Sequence, residues 1–401
     1  MQIKNLPKGA HALLIALQTP NNRGTIGIPV LLWGRPGVGK SSFMEDLATP
    51  DFPVLTLIAS IHDPTDFSGL PILQEGKVKY AIPEWVENFG AEGKGILFLD
   101  ELTTAPPSVQ AALLRVVLER KVGFHNLPEK VRIVSAANPP DLMTGGWELS
   151  PPLRNRFVHL NWDLNASIYR NALTNGYEQA ELPEISIAEH QLARKEYASM
   201  VNGFLSRNPN LLHGSPEDNN YGFASPRSWD YAINLMASCA VLGLSPLQAE
   251  DKSSTVFMEL LSGALGDGIA INFIAFLKNL KVPDPLQVLE GQIVPDLSSL
   301  NESELFILFN SFVPLLDKSV DDETLYPRSK VLISLVDQVV ETNRKDLIFP
   351  AVRSMAKVEH LMARLVRISI NKGPNNQKEM MAFLDRFFSE KGFEEYVNII
   401  G

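Results

Sequence analysis

The chain has 401 residues, which allows two to three domains with a sizeable buried core and excludes a peptide hormone or a disulfide-stapled miniprotein. Hydrophobic residues make up 45% and charged residues 20%, the proportions of a folded globular protein and not of a disordered or fibrous one. The formal net charge is −10, yet residues 1–162 carry 15 charges of each sign, so the acidic excess lies wholly beyond them and disfavours a nucleic-acid backbone as partner, which needs clustered Lys and Arg.

In chain order, the N-terminal apolar stretch within residues 1–20 is too short for a signal peptide core and lacks a small-residue cleavage pattern. Five apolar runs bounded by turn residues follow: Ile28–Trp33, Val54–Ile58, Gly95–Leu99, Val131–Ala136 and Phe157–Leu160. Such runs read as strands buried on both faces of a parallel sheet. Helical patterns lie between them, for instance Ser41–Ala48 and Ser108–Glu119, so residues 1–162 are expected to form a three-layer α/β domain.

Beyond residue 163 three-and-four spacing dominates, which predicts a helical region over 163–280 and a helical extension over 281–401. Between Phe349 and Ile370, for example, Val352, Met355, Val358, Leu361, Met362, Leu365 and Ile368 can share one helix face. The most apolar segment, 253–281, is interrupted by Glu259, Asp267 and Lys278 and reads as core helices, not as a membrane span. Loops are expected at Asn208–Tyr221, Lys281–Pro295 and Lys372–Asn376, and Asp321, Asp322 and Glu323 read as a solvated turn. Cys239 is the only cysteine; no internal disulfide is possible, which points to a reducing, cytoplasmic setting and to a small buried apolar role for the thiol.

The chemistry concentrates at the ends of the apolar runs. Gly34, Arg35, Pro36, Gly37, Val38, Gly39, Lys40 and Ser41, followed by Ser42, fit the G-x-x-x-x-G-K-[ST] phosphate loop, placed as it must be between a strand and a helix. The glycines let backbone N–H groups turn toward phosphates, Lys40 adds a point charge, and the Ser41 hydroxyl can ligate Mg²⁺. About 60 residues on, the run 95–99 delivers Asp100 and Glu101 at the strand edge where open α/β sheets bind ligands. Asp100 is placed to hold Mg²⁺, and Glu101 to orient and polarise an attacking water.

These motifs resemble those of the AAA+ ATPases. The stretch Asp100-Glu101-Leu102-Thr103-Thr104-Ala105-Pro106-Pro107, continuing to Leu114, is similar to that of the MoxR family, although Thr103 and Thr104 stand where Asn and Arg are commoner. The segment Asp63-Pro64-Thr65-Asp66-Phe67-Ser68-Gly69-Leu70-Pro71 resembles an element of the same branch that precedes an insertion in the second helix, read as facing substrate or pore. The resemblance implies that Asn138 is a first sensor of the γ-phosphate. It also implies that Arg156, within Gly146 to Phe157, reaches a neighbouring subunit's ATP, with Arg154 as the alternative. Arg227, within Ser225-Pro226-Arg227, resembles a second sensor directed at its own subunit's nucleotide; Ser225-Pro226 is also good helix-start chemistry.

The resemblance further implies ATP and Mg²⁺ as cofactors, and a homo-oligomeric ring, read as a hexamer. Its expected work is chaperone-like remodelling of a protein client, with a von Willebrand factor A domain protein among the possible partners. A nucleic-acid motor, a GTP-using relative and a scaffold that binds nucleotide without turnover are the competing readings. From about residue 285 to the end the chain resembles nothing recognised.

Overall fold

The computed structural model describes residues 6–21, 24–89, 92–142, 146–216, 221–244, 252–316, 320–342, 344–356 and 361–389. Among the described residues the strands are β1 Val30–Trp33, β2 Val54–Ile58, β3 Leu70–Gln74, β4 Lys77–Ala81, β5 Lys94–Asp100, β6 Lys121–Val122, β7 His125–Asn126, β8 Lys130–Ala137 and β9 Val158–Asn161. Five of them form a parallel sheet in the order β2-β5-β8-β1-β9. These are the five apolar runs read from the sequence, with the first beginning at Val30 and the last at Val158.

The central strands β1, β5 and β8 are buried along almost their whole length because helices cover both faces. On one face Leu31, Trp33, Leu97, Leu99 and Ile133 pack with Val109, Leu113 and Val116 of helix Pro107–Glu119. Residues of opposite parity, Leu32, Phe98, Val134 and Ala136, are fully buried on the other. The N-terminal apolar stretch becomes helix Ala10–Gln18, seven of whose nine residues are buried.

Two short hairpins, β3–β4 and β6–β7, leave the central layer. Asp63 accepts from the Thr65 N–H and hydroxyl, Asp66 accepts from the Asp63 N–H, and Phe67 is fully buried against Trp85. The Asp63–Pro71 motif is therefore a self-capped turn with an apolar anchor that launches β3.

Past β9 the described residues form helices and connections only. The chain divides into two compact units, one comprising residues 1–197 and 207–278, the other 198–206 and 279–401. In the first, the 253–281 segment forms helices Lys252–Leu265 and Asp267–Asn279, broken at Gly266. Among the described residues no helix is long and apolar enough to cross a membrane. Cys239 is buried, which pushes its thiol up to about 12.

In the second unit, Leu305, Phe309, Phe312, Leu325, Val336, Ile348 and Leu365 share one core. The single face expected over Phe349–Ile370 is divided between helices Lys345–Ala356 and Leu361–Asn371, where Val352, Met355, Leu361, Leu365 and Ile368 are buried. Val358 lies outside the described residues. Two of the expected loops contain helix starts: Pro285 and Pro374 each open a helix, a position where the missing N–H costs nothing. Asp321 caps helix Asp322–Glu341 through the Thr324 N–H, while Asp322 pairs with Arg364 and Arg367.

Candidate functional site

The register of the sheet brings the phosphate loop and the two carboxylates together. Trp33, the last residue of β1, is level with Ala137 of β8, and Leu99 of β5 is level with Ser135. Gly34, Asp100, Glu101 and Asn138 therefore leave the same, C-terminal edge of the sheet. The Ser41 hydroxyl donates to Asp100 Oδ2 at 2.7 Å, and Asp100 Oδ1 accepts from the Glu101 N–H at 2.8 Å. Asn138 follows β8, half-buried, and its side-chain amide makes no hydrogen bond among the described residues.

Gly37 and Gly39 adopt φ of +76° and +79°, which lets successive N–H groups of the loop converge and would strain any residue bearing a Cβ. Helix Lys40–Asp46 starts directly from this turn. Lys40 is buried, and its ammonium donates to the carbonyls of Gly34 at 2.5 Å and Arg35 at 3.1 Å. Burial pulls its pKa below the usual lysine range, and the Asp100 carboxylate works in the opposite direction. The cation is thus held across the mouth of the loop. The Trp162 indole pins the loop from outside, its N–H donating to the Val38 carbonyl at 3.2 Å. Arg35, Pro36 and Ser42 are exposed at the rim.

Beside the loop lies a cavity of about 230 Å³, lined by Gly37–Gly39, Phe43, Ile168 and Tyr169 among others. Its apolar side, Phe43, Leu164 and Ile168, suits a planar base next to a phosphate cradle, while Ser42, Asp46 and Glu178 line its polar part. The donor set also fits Mg²⁺, which takes hard oxygens from one or two side chains and completes its shell with phosphate and water. Ser41 and Asp100 supply such oxygens.

Glu101 occupies the left-handed region, φ 57°, at the turn out of β5. Its Oε2 accepts from Ser60 at 3.0 Å and lies 3.5 Å from the Thr104 hydroxyl, which donates to the Glu101 carbonyl at 2.8 Å. Ser60 follows β2, whose Ile58 is level with Asp100. It gained no role from the sequence, because its relation to Glu101 exists only through strand pairing. Thr103 is buried and Thr104 closes the turn, so these two departures from the commoner motif serve the fold locally.

The arginines sit elsewhere. Asn155 and Arg156 precede β9, whose Val158 N–H donates to the Pro29 carbonyl just before β1. They approach the sheet from its N-terminal edge, one strand length, about 13 Å at 3.3 Å per residue, from the edge carrying Lys40. The Arg154 guanidinium is spent within its own chain: it donates to the Tyr221 carbonyl at 3.1 and 3.2 Å and to the Pro216 carbonyl at 3.2 Å, and it lies over the Phe223 ring. These bonds tie the Arg154 side chain to the backbone of its own chain.

Arg156 donates to the Pro152 carbonyl, but its Nε–H is buried with no partner among the described residues. Burial, and then the nearby Arg227 guanidinium, lower its pKa. Arg227 donates to Asn155 Oδ1 at 3.3 Å from helix Pro226–Val241, which Ser225 and Ser228 close with a reciprocal capping box. The Arg227 side chain thus bonds to Asn155 and lies near enough to Arg156 to lower that residue's pKa. Asn155 was overlooked in the sequence although it lies between the two candidate arginines. Its carboxamide accepts from Ser225 at 2.8 Å and donates to the Phe223 carbonyl at 3.1 Å, which ties the arginine segment to this helix.

Residues 29–157 match the family described as AAA domain (dynein-related subfamily). Over 135 residues the chain is 31% identical to "Chaperone MoxR1" of Mycobacterium tuberculosis (strain ATCC 25618 / H37Rv), a match spanning 32% of this chain and 34% of that protein. Over residues 29–157 the chain is thus similar to AAA domains of the dynein-related subfamily, and over 135 residues to a MoxR chaperone. It is also 33% identical over 143 residues to the "Psp operon transcriptional activator" of Escherichia coli (strain K12), covering 33% of this chain and 44% of that protein. The chain thus spans between a third and a half of the length of these curated relatives. A solved structure of a candidate ATPase from Cytophaga hutchinsonii ATCC 33406 aligns over 70% of this chain and 92% of its own, with 16% identity and a TM-score of 0.40. The match to the AAA domain spans four of the five strands of the central sheet, β1, β2, β5 and β8, and every motif from the phosphate loop to Arg156.

Proposed function

We propose that this AAA+ protein hydrolyses ATP and works as a homo-oligomeric ring, read as a hexamer, that remodels or assembles a protein client in the cytoplasm. The observation carrying this reading is the junction of Ser41 with Asp100, 2.7 Å apart beneath a buried Lys40, with Glu101 one residue on. Backbone N–H groups of Gly37–Lys40 and the Lys40 ammonium bind the phosphates, while the apolar side of the cavity beside them takes the base. Mg²⁺, held by Ser41 and Asp100, would supply neutralisation of phosphate charge. Glu101 orients a water in line with the bond to be broken; water oxygen bonds to the γ-phosphorus, the bridging oxygen leaves with ADP, and the water proton passes through Glu101 to solvent. For this Glu101 must give up at least part of its bond with Ser60. Asn138, unengaged at the same edge, is placed to donate to the γ-phosphate.

Arg156 and Arg227, two guanidiniums side by side at the far end of the sheet, are the groups offered to a neighbour's phosphate. Paired cations are stabilised by an anion placed between them. A client bearing a von Willebrand factor A domain is the partner class implied by the MoxR resemblance. The acidic excess beyond residue 162 supports a protein client over a nucleic acid.

The test is a pair of variants. Lys40→Ala should lose ATP binding in a titration, whereas Glu101→Gln should bind ATP and lose hydrolysis by at least a hundredfold, because the amide keeps the shape but cannot take the proton. Wild-type turnover by Glu101→Gln would overturn the assignment. Affinity capture with Glu101→Gln held in ATP would then identify the client.

A further inference from the structure

His159, the second residue of β9, has both ring nitrogens committed. The Trp33 indole N–H donates to His159 Nδ1 at 2.9 Å, and His159 Nε2 lies 3.0 Å from the Arg154 carbonyl. An indole N–H can only donate and a carbonyl can only accept, so the two contacts together require neutral imidazole with its proton on Nε2. The ring is fully buried, and burial holds its pKa down at about 4.

Three aromatic rings stack around this bridge: Trp33 on Tyr221 with centroids 4.1 Å apart, and His159 6.1 Å from Trp33 and 6.3 Å from Tyr221. The Tyr221 carbonyl in turn receives the Arg154 guanidinium. The circuit therefore runs from Trp33, whose next residue opens the phosphate loop, through His159 to the backbone of Arg154, and back through Tyr221. Asn155 and Arg156 follow directly from the backbone held at Arg154.

We infer that His159 is a positioning residue that fixes the arginine segment against the phosphate-loop strand, so that Arg156 is presented to the neighbouring subunit only while the Trp33–His159–Arg154 bridge is intact. The inference rests on the reading of Arg156 as a residue acting across a subunit boundary. It asks nothing of His159 toward its own subunit's nucleotide, which a role in general folding would disturb equally.

Complementation separates the two. A His159→Leu subunit should bind ATP as the wild type does and hydrolyse it at least tenfold more slowly. Mixed with Lys40→Ala, which lacks a working phosphate loop but keeps its arginines, it should recover turnover. Mixed with Arg156→Ala it should not, since both are then defective on the same side. Should His159→Leu not fold, Trp33→Phe keeps a ring on Tyr221 and deletes the N–H donor, and the same pattern is expected of it. A Lys40→Ala and Arg156→Ala mixture, run in parallel, reports on the cross-boundary reading by itself; no recovery there, with assembly demonstrated, overturns that reading. Recovery there, together with recovery of the His159 or Trp33 variant by Arg156→Ala, or by neither partner, overturns the positioning role, as does full activity of both variants alone.

Discussion

Burial sets the protonation of His159 and leaves a signature in the pH dependence of stability. Its folded pKa of about 4 lies below the ordinary value of 6.5. Between those values the unfolded chain binds a proton that the folded chain refuses. Stability from this group is thus complete above pH 6.5 and is lost as pH falls toward 4, by about 3 kcal/mol for a shift of this size in a fully buried ring. Replacing His159 with Gln, which cannot take that proton, should flatten the urea-denaturation midpoint against pH across that window relative to wild type. Identical slopes would show that the buried ring is not the titrating group. Residue roles divided sharply in their legibility. Lys40, Ser41 and Asp100 could be read as one cluster from sequence, because phosphate and magnesium chemistry calls for those types at that spacing, and the fold brings Ser41 to Asp100. His159, Ser60 and Asn155 could not, since each acts through a partner that only the folded sheet brings near: Trp33 is 126 residues from His159, and Ser60 is 41 from Glu101.

The elements that were legible are those whose physics is carried by a run of like residues. Strands buried on both faces are apolar along nearly their whole length, and β1, β5, β8 and β9 were recognisable on that ground; the edge strand β2, where only Leu57 is buried, was recognisable by its apolar run alone. The hairpin β3–β4 was not, because its residues are nearly all exposed and its turn, Glu75-Gly76, is not the expected Asn-Gly or Asp-Gly. The N-terminal helix was hidden for the opposite reason: burial all round removes the polar face that reveals a helix by its period. Packing between elements was equally unreadable. A Cβ on Gly263 would lie 2.3 Å from the His159 carbonyl, and one on Gly222 would lie 2.4 Å from the Gly263 carbonyl. Helix Lys252–Leu265 thus approaches β9 and the 221–224 segment backbone to backbone. Gly263→Ala should force them apart and cost about 1–3 kcal/mol, the usual range for overpacking, measured as a lower urea midpoint. Unchanged stability would mean that the helix shifts freely over the strand.

At the scale of the whole molecule, the site is divided. The phosphate loop, Asp100, Glu101 and Asn138 share one edge of the sheet, and Arg156 and Arg227 approach from the other. Within one copy the contacts of Asn155 with Ser225 and Phe223 hold the arginine segment to the start of helix Pro226–Val241. In the ring proposed above, copies joined head to tail would place one copy's arginines at the next copy's phosphates. Specific activity should accordingly rise with protein concentration, and an arginine supplied by a neighbour can contribute roughly 10³-fold or more in rate. Arg227 provides the sharper measurement, because the sequence motif directed it to its own nucleotide while its side chain bonds to Asn155. Arg227→Ala mixed with Lys40→Ala should recover turnover, and mixed with Arg156→Ala it should stay inactive. The reverse pattern would place Arg227 on its own subunit's phosphates, and its contact with Asn155 would then have to break each time nucleotide binds.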